Sequence, residues 1–299
     1  MDVVMDALLR FSSRFPDIFV VNLGGGVDNA VRAFARNHRG FLDIFRSWVA
    51  FSVTSINRGL QATPWWLLIL IVVFLGYKTT GKLRNGILYG ALVFLVGSFG
   101  LWNLMLETLS IIIVSVAAAL VIGFPVGIAV AMSKKVNAVV RPILDLAQTL
   151  PSMVYLIPAA MLLGVGRTPA VIATVIYSVV PMVRMTSHGI IHVDKEVIEA
   201  STAFGSTRFQ TLMKVQIPQA LPTIMTGVNQ TIMMAMAMVV TSALIGANGL
   251  GMEILVATNR VEIGRALMPG ISIVIMATII DRTTQGMARK KRDESGEAL

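Results

Sequence analysis

Residues 104 to 132 read LMLETLSIIIVSVAAALVIGFPVGIAVAM, an apolar run interrupted by a single ionisable side chain, Glu107. A bilayer hydrocarbon core of roughly 30 Å needs about 20 consecutive apolar residues in a helix, and this stretch exceeds that length. Further apolar runs flank it at 65–77, 86–102, 143–164, 168–188, 220–246 and 266–286, which makes seven candidate spans. The expected fold class is therefore an all-α membrane protein. The first run is short for a crossing, and the 104–132 run is long enough to be tilted or to extend beyond the lipid. Composition agrees: of 299 residues 55% are hydrophobic and 14% charged, with a mean hydropathy of +0.76, far from a soluble globular domain. The chain has no cysteine, which excludes disulfides, thiolate metal sites and a cysteine nucleophile.

The positions of lysine and arginine set the orientation expected of these spans. Lys78, Lys82 and Arg84 lie between the first and second, and Lys134, Lys135 and Arg141 between the third and fourth. Arg184, Lys195, Arg208 and Lys214 accompany the loop after the fifth, and Arg289, Lys290, Lys291 and Arg292 the tail. Opposite loops hold only Arg167, Arg260 and Arg265. Positive residues accumulate in cytoplasmic loops, so the first set marks the cytoplasm. The C-terminus is expected inside and, with an odd number of spans, the N-terminus outside. This bias also accounts for the net charge of +9, and no nucleic-acid partner is expected.

Residues 1–63 carry Arg10, Arg14, Arg32, Arg36, Arg39, Arg46 and Arg58, unusual for a translocated segment. Val31, Phe34, Ala35, Phe41, Leu42, Phe45, Trp48 and Val49 recur at steps of three and four, with arginines between them. Two readings fit: a helix lying in the lipid interface, or an amphipathic helix packed on the bundle. Met1 to Phe19 has early acidic residues and no continuous apolar core, so no cleavable signal peptide is expected.

Between the fifth and sixth runs lies EASTAFGSTRFQTLMKVQIP, residues 199 to 218. A polar, helix-capable segment of this length is not needed to reverse the chain, and it reads as a docking element. It resembles the signature of permease subunits of bacterial ATP-binding-cassette importers: Glu-Ala-Ala, three residues, Gly, nine residues, Ile-x-Leu-Pro. Here Glu199-Ala200-Ser201, Gly205 and Val215-Gln216-Ile217-Pro218 take those places, with Ser for the second Ala, Val for Ile and Ile for Leu. The likeness covers roughly residues 100 to 286 and is strongest to glycine betaine, proline betaine and choline permeases. It is carried by Gln148 to Pro158, Arg167 to Ala173 and Pro222 to Thr231; residues 1–99 are much less specific.

The resemblance implies the type I importer permease fold in a bacterial inner membrane, with the loop as a coupling helix seated on a separate ATPase. Its implied partners are two copies of a P-loop ATPase that binds ATP and Mg, a second copy of this chain, an extracytoplasmic substrate-binding protein and membrane lipid. The implied division is an N-terminal extension (1–63), two accessory helices (64–102), a permease domain (103–286) with its coupling loop (194–218) and a basic tail (287–299). Within the loop, Gly205 permits a turn or a close approach. Pro218 is expected to end the loop helix before the sixth span, and Glu199 to meet a basic partner or cap the helix N-terminus.

No cofactor is expected on this chain. Gly76 to Lys82 spells Gly-x-x-x-x-Gly-Lys, but Leu83 stands where a phosphate loop needs Ser or Thr. His188 and His192 share a helical face without a third metal ligand, and no catalytic constellation assembles. Asn229 and Gln230, with Met234 among further methionines, either line the passage or pack. If the cargo is a quaternary ammonium, Tyr155 and Tyr177 offer cation–π faces. Gly246, Gly249 and Gly251 read either as a re-entrant external gate or as a connecting loop. The alternative function is a stand-alone ion-coupled transporter, which should show a coupling-ion site or an internal repeat. Neither is visible.

Overall fold

The computed structural model describes residues 24–294, and the side chains of residues 24–286. Residues 1–23, with the signal-peptide reading of Met1 to Phe19, and the side chains of the basic tail lie outside the described residues. The described residues are helical throughout: α1 (Gly24–Asn37), α2 (Arg39–Ala62), α3 (Trp65–Thr80), α4 (Leu83–Ser98), α5 (Trp102–Met132) and α6 (Lys134–Thr149). A short 3₁₀ turn, Ser152–Tyr155, leads into α7 (Leu156–Leu163), and α8 (Arg167–Ile191) follows. Then come α9 (Lys195–Ala203), α10 (Arg208–Thr211), α11 (Ile217–Thr241), α12 (Leu250–Asn259) and α13 (Ile263–Glu294).

Four helical runs are long and apolar enough to cross a membrane: α5, α8, the run Arg208–Ile245 and α13 over Ile263–Gly286. Among the described residues the number reaches six if each of two bent helix pairs is taken as one span, against the seven candidate spans expected. α3 and α4 have 16 residues each, about 24 Å at 1.5 Å per residue, and form a hairpin. The 143–164 run is not one rod: α6 and Ser152–Leu163 meet at 111°. Pro151 cannot donate an amide hydrogen bond and holds Leu150 extended (φ −68°, ψ 134°). The phosphate-loop look-alike is a helix end, with Gly81 left-handed at φ +69° closing α3.

α8 is the central helix, flanked by α5 and α11. Lipid tails supply no hydrophobic drive between helices, so close backbone approach through small residues holds such bundles together. Gly123 and Gly127 of α5 receive Met182 and Thr186 of α8, and Gly227 of α11 receives Met185. One core, including Ile111, Ala119, Val171, Met236 and Ile275, joins α5, α8, α11 and α13. A second, of Met182, Ile190, Leu212, Ala220 and Ile224, lies at the end that carries the 194–218 loop.

α2 combines both readings of the N-terminal pattern. It turns 99° from α3, and Val49 and Val53 are buried in the bundle core while Phe41, Ile44, Trp48 and Phe51 remain exposed on another face. One apolar face thus packs on helices, and the other is exposed.

Candidate functional site

The loop between α8 and α11 is built from local hydrogen-bonding rules. Asp194 caps α9, its Oδ1 accepting from the Glu196 amide at 2.9 Å. The helix ends in a Schellman turn: Gly205 N donates to Thr202 O at 2.9 Å and Ser206 N to Ser201 O at 3.2 Å. Gly205 sits at φ +84° with nothing within 4 Å of where a Cβ would stand. Its requirement within this chain is therefore the left-handed turn, not close approach. Thr207 and Gln210 then form a reciprocal capping box that starts α10. Ser201 Oγ and Thr211 Oγ1 share a 3.1 Å hydrogen bond that ties the two short helices together.

Two roles expected from sequence are corrected. Glu199 is exposed in the middle of α9, and Asp194 does the capping. Pro218 does not stop a helix, because the backbone runs through a wide π turn at Leu212–Gln216 into α11, where Pro218 is in the first turn. The widened turn absorbs the amide hydrogen bond that proline cannot make. Ala200 is exposed, and Val215 and Ile217 are half-buried. What projects farthest is Phe204, 92% exposed, and Phe209, 70% exposed. The sequence reading passed over both; two phenylalanines in an otherwise polar loop were the available signal.

Behind the loop a cavity of about 510 Å³ is lined by Arg141, Asp145, Arg184, His188 and His192 among others. Arg184 Nη2 donates to Asp145 Oδ1 at 2.5 Å, and the two imidazole rings stand 3.9 Å apart. Among the described residues no group of three His, Cys, Asp or Glu side chains is placed to hold a metal.

Along the bundle, Tyr155 and Tyr177 come together with ring centroids 6.2 Å apart, and the Tyr155 hydroxyl bonds the Ala147 carbonyl. Both flank a small core of Leu156, Ala159, Ala173 and Met238. On α11, Gln230 is exposed, Met234 half-buried, and the Asn229 Oδ1 is buried without a hydrogen-bond partner. At the end opposite the loop, Gly246 (φ +77°) and Gly249 (φ +129°) turn the chain back. Gly251 then packs so closely that a Cβ would stand 2.8 Å from Val240 O, which lays the start of α12 against the end of α11. Gly166 N donates to Ile245 O at 2.9 Å, joining this turn to the start of α8.

Residues 123–293 match the family described as binding-protein-dependent transport system inner membrane component. The chain belongs to this family. As such it is a multi-pass inner-membrane permease subunit that works with other components of an ATP-binding-cassette importer. It is not an enzyme, since ATP hydrolysis belongs to a separate subunit, and the stand-alone ion-coupled alternative is overturned.

Relatives span the length of the protein. The glycine betaine/carnitine transport permease protein GbuB of Listeria monocytogenes is 40% identical over 93% of this chain and 100% of its own length. The glycine betaine transport system permease protein OpuAB of Bacillus subtilis is 40% identical over 93% of this chain and 98% of its own. The glycine betaine/proline betaine transport system permease protein ProW of Escherichia coli is 36% identical, covering 89% and 74%. Among solved structures, an inward-facing form of the MetNI methionine ABC transporter shares the fold, with a TM-score of 0.56 and 23% identity over 64% of this chain and 95% of that one. In this fold Glu199 to Pro218 lie on one segment leading from α8 into α11, in which Phe204 and Phe209 are the most exposed large apolar side chains.

Proposed function

We propose that two copies of this chain form a pathway for a quaternary-ammonium compatible solute: glycine betaine, proline betaine or choline. Two P-loop ATPase subunits, which bind ATP and Mg, drive it, and an extracytoplasmic binding protein delivers the cargo. The observation that carries the reading is the projecting loop, in which a Schellman turn at Gly205 and a capping box at Thr207 present Phe204 and Phe209 to a partner. Exposed aromatic anchors on a rigid turn suit a pocket on another protein. The solute class is supported by relatives named for glycine betaine at 36–40% identity.

The loop end faces the cytoplasm with the C-terminus, in keeping with the lysine and arginine bias. Tyr155, Tyr177, Asn229, Gln230 and Met234 border the passage, where the paired tyrosine faces attract a cation that offers no hydrogen-bond donor. Gly246, Gly249 and Gly251 form the outer gate, and α2 rests in the outer interface against lipid. ATP-driven closure of the ATPases biases the permease between inward- and outward-open states, and the loop transmits that bias.

Purification of the tagged chain from its own host in mild detergent, with mass spectrometry of its companions, tests the assembly. The expected result is a P-loop ATPase at equal stoichiometry. ATP turnover stimulated by a betaine-loaded binding protein then identifies the solute. Transport by the chain alone without ATP would overturn the proposal.

A further inference from the structure

At the end of the bundle opposite the coupling loop, two neighbouring residues of α5 grip two different parts of the chain. Glu107 Oε1 accepts from Arg167 Nη2, in the first turn of α8, at 2.6 Å; the side chains are 19% and 31% exposed. Thr108, 2% exposed, uses its hydroxyl twice, donating to Leu104 O at 2.9 Å and accepting from the Leu250 amide at 2.8 Å. Leu250 is fully buried, so that amide has no water to replace the bond. The fit at Gly249 is equally tight: a Cβ there would stand 2.4 Å from Thr108 Oγ1. The two gripped segments are also bonded to each other, through Gly166 N and Ile245 O.

We infer that Glu107 and Thr108 form a two-point clamp that holds the outer gate shut, acting as positioning residues through Arg167 and through the Leu250 amide. Successive helix positions are about 100° apart, which is why adjacent residues of one rod reach two segments. Movement of the first turns of α5 away from both segments breaks an ion pair and a buried hydrogen bond. Neither contact is local in sequence: Glu107 and Arg167 are 60 residues apart, Thr108 and Leu250 are 142 apart.

The inference rests on the importer reading above. In the shut state the resting complex hydrolyses little ATP until a loaded binding protein opens the gate. A weakened clamp raises the free energy of the shut state relative to the open one and replaces part of the binding protein's work. The test uses the complete complex in proteoliposomes, with ATP turnover measured with and without the binding protein, and solute uptake per ATP. Glu107→Gln and Thr108→Val should each raise turnover without the binding protein by about fivefold or more and lower uptake per ATP. The exchange E107R/R167E should return both towards wild type. Ile111→Val, a core change one turn along α5, should lower thermal stability without raising idle turnover, which separates positioning from packing.

Unchanged idle turnover in both single variants, with wild-type stimulation intact, would overturn the clamp and leave the importer reading standing. Wild-type turnover indifferent to every binding protein and solute would overturn both. Should Glu107→Gln fail to assemble, Thr108→Val, which keeps side-chain shape and removes both hydrogen bonds of the hydroxyl, decides the matter by the same readout.

Discussion

Gly127 of α5 lies against Thr186 of α8 with so little space that a Cβ on residue 127 would stand 2.6 Å from the Thr186 Cβ and 2.9 Å from the Val183 carbonyl oxygen. One turn away Gly123 meets Met182 in the same manner. The Gly-x-x-x-Gly spacing puts both on one face of α5, and the central helix pair depends on it. Because Thr186 is β-branched and fully buried, it cannot swing aside. Gly127→Leu should cost about 1–3 kcal/mol or more by overpacking, seen as a lower unfolding temperature of the detergent-solubilised complex; an unchanged transition would contradict the packing.

At Gly205 the expectation is the reverse in kind. Space around it is open, and only its φ of +84° restricts substitution. Gly205→Val should leave global stability unchanged while destabilising the turn by about 1–2 kcal/mol, with reduced ATPase co-purification and uptake. Gly205→Asn, which tolerates the left-handed region, should retain more of both.

Phe204 and Phe209 touch little within this chain, so their replacement by alanine should not alter its unfolding. In the assembled transporter each is expected to contribute as a binding anchor, about 2 kcal/mol or more per residue. Titration of the separate ATPase against the reconstituted double variant should show an association weaker by about thirtyfold or more. Equal affinity would place the docking surface elsewhere.

Asp145 and Arg184 form a 2.5 Å pair, yet their side chains are 57% and 37% exposed. Solvent screening leaves such a pair worth about 0–1 kcal/mol. Asp145→Asn should therefore shift the unfolding temperature by only a degree or two, measured on the purified complex. A large loss would mean that a partner buries this cavity in the assembly.

Much of this architecture is readable one segment at a time, because its causes are local. Membrane character follows from uninterrupted apolar runs, and the helical character of the 199–218 loop from its polar, helix-capable composition. The break at Leu150–Pro151 was available in the same way, since proline restricts its predecessor, but hydrophobicity alone carried the 143–164 run straight through it. At Pro218 the relation is reversed: proline locally favours a stop, whereas the π turn at Leu212–Gln216 lets the chain run on into α11.

The sequence by itself determined that the chain crosses a membrane, that its lysines and arginines cluster in alternate loops, and that residues 199 to 218 form a polar, helix-capable loop. Each of these depends on composition or on hydrogen bonds within a few residues. Only the tertiary structure decided that α8 is the central helix, that α2 shows one apolar face to the bundle and another away from it, and that Glu107 and Thr108 reach Arg167 and Leu250. Those relations join residues tens to more than a hundred positions apart, and in a bundle of uniformly apolar helices no periodicity says which faces meet. Shape complementarity at glycines and a few long-range polar contacts make that choice.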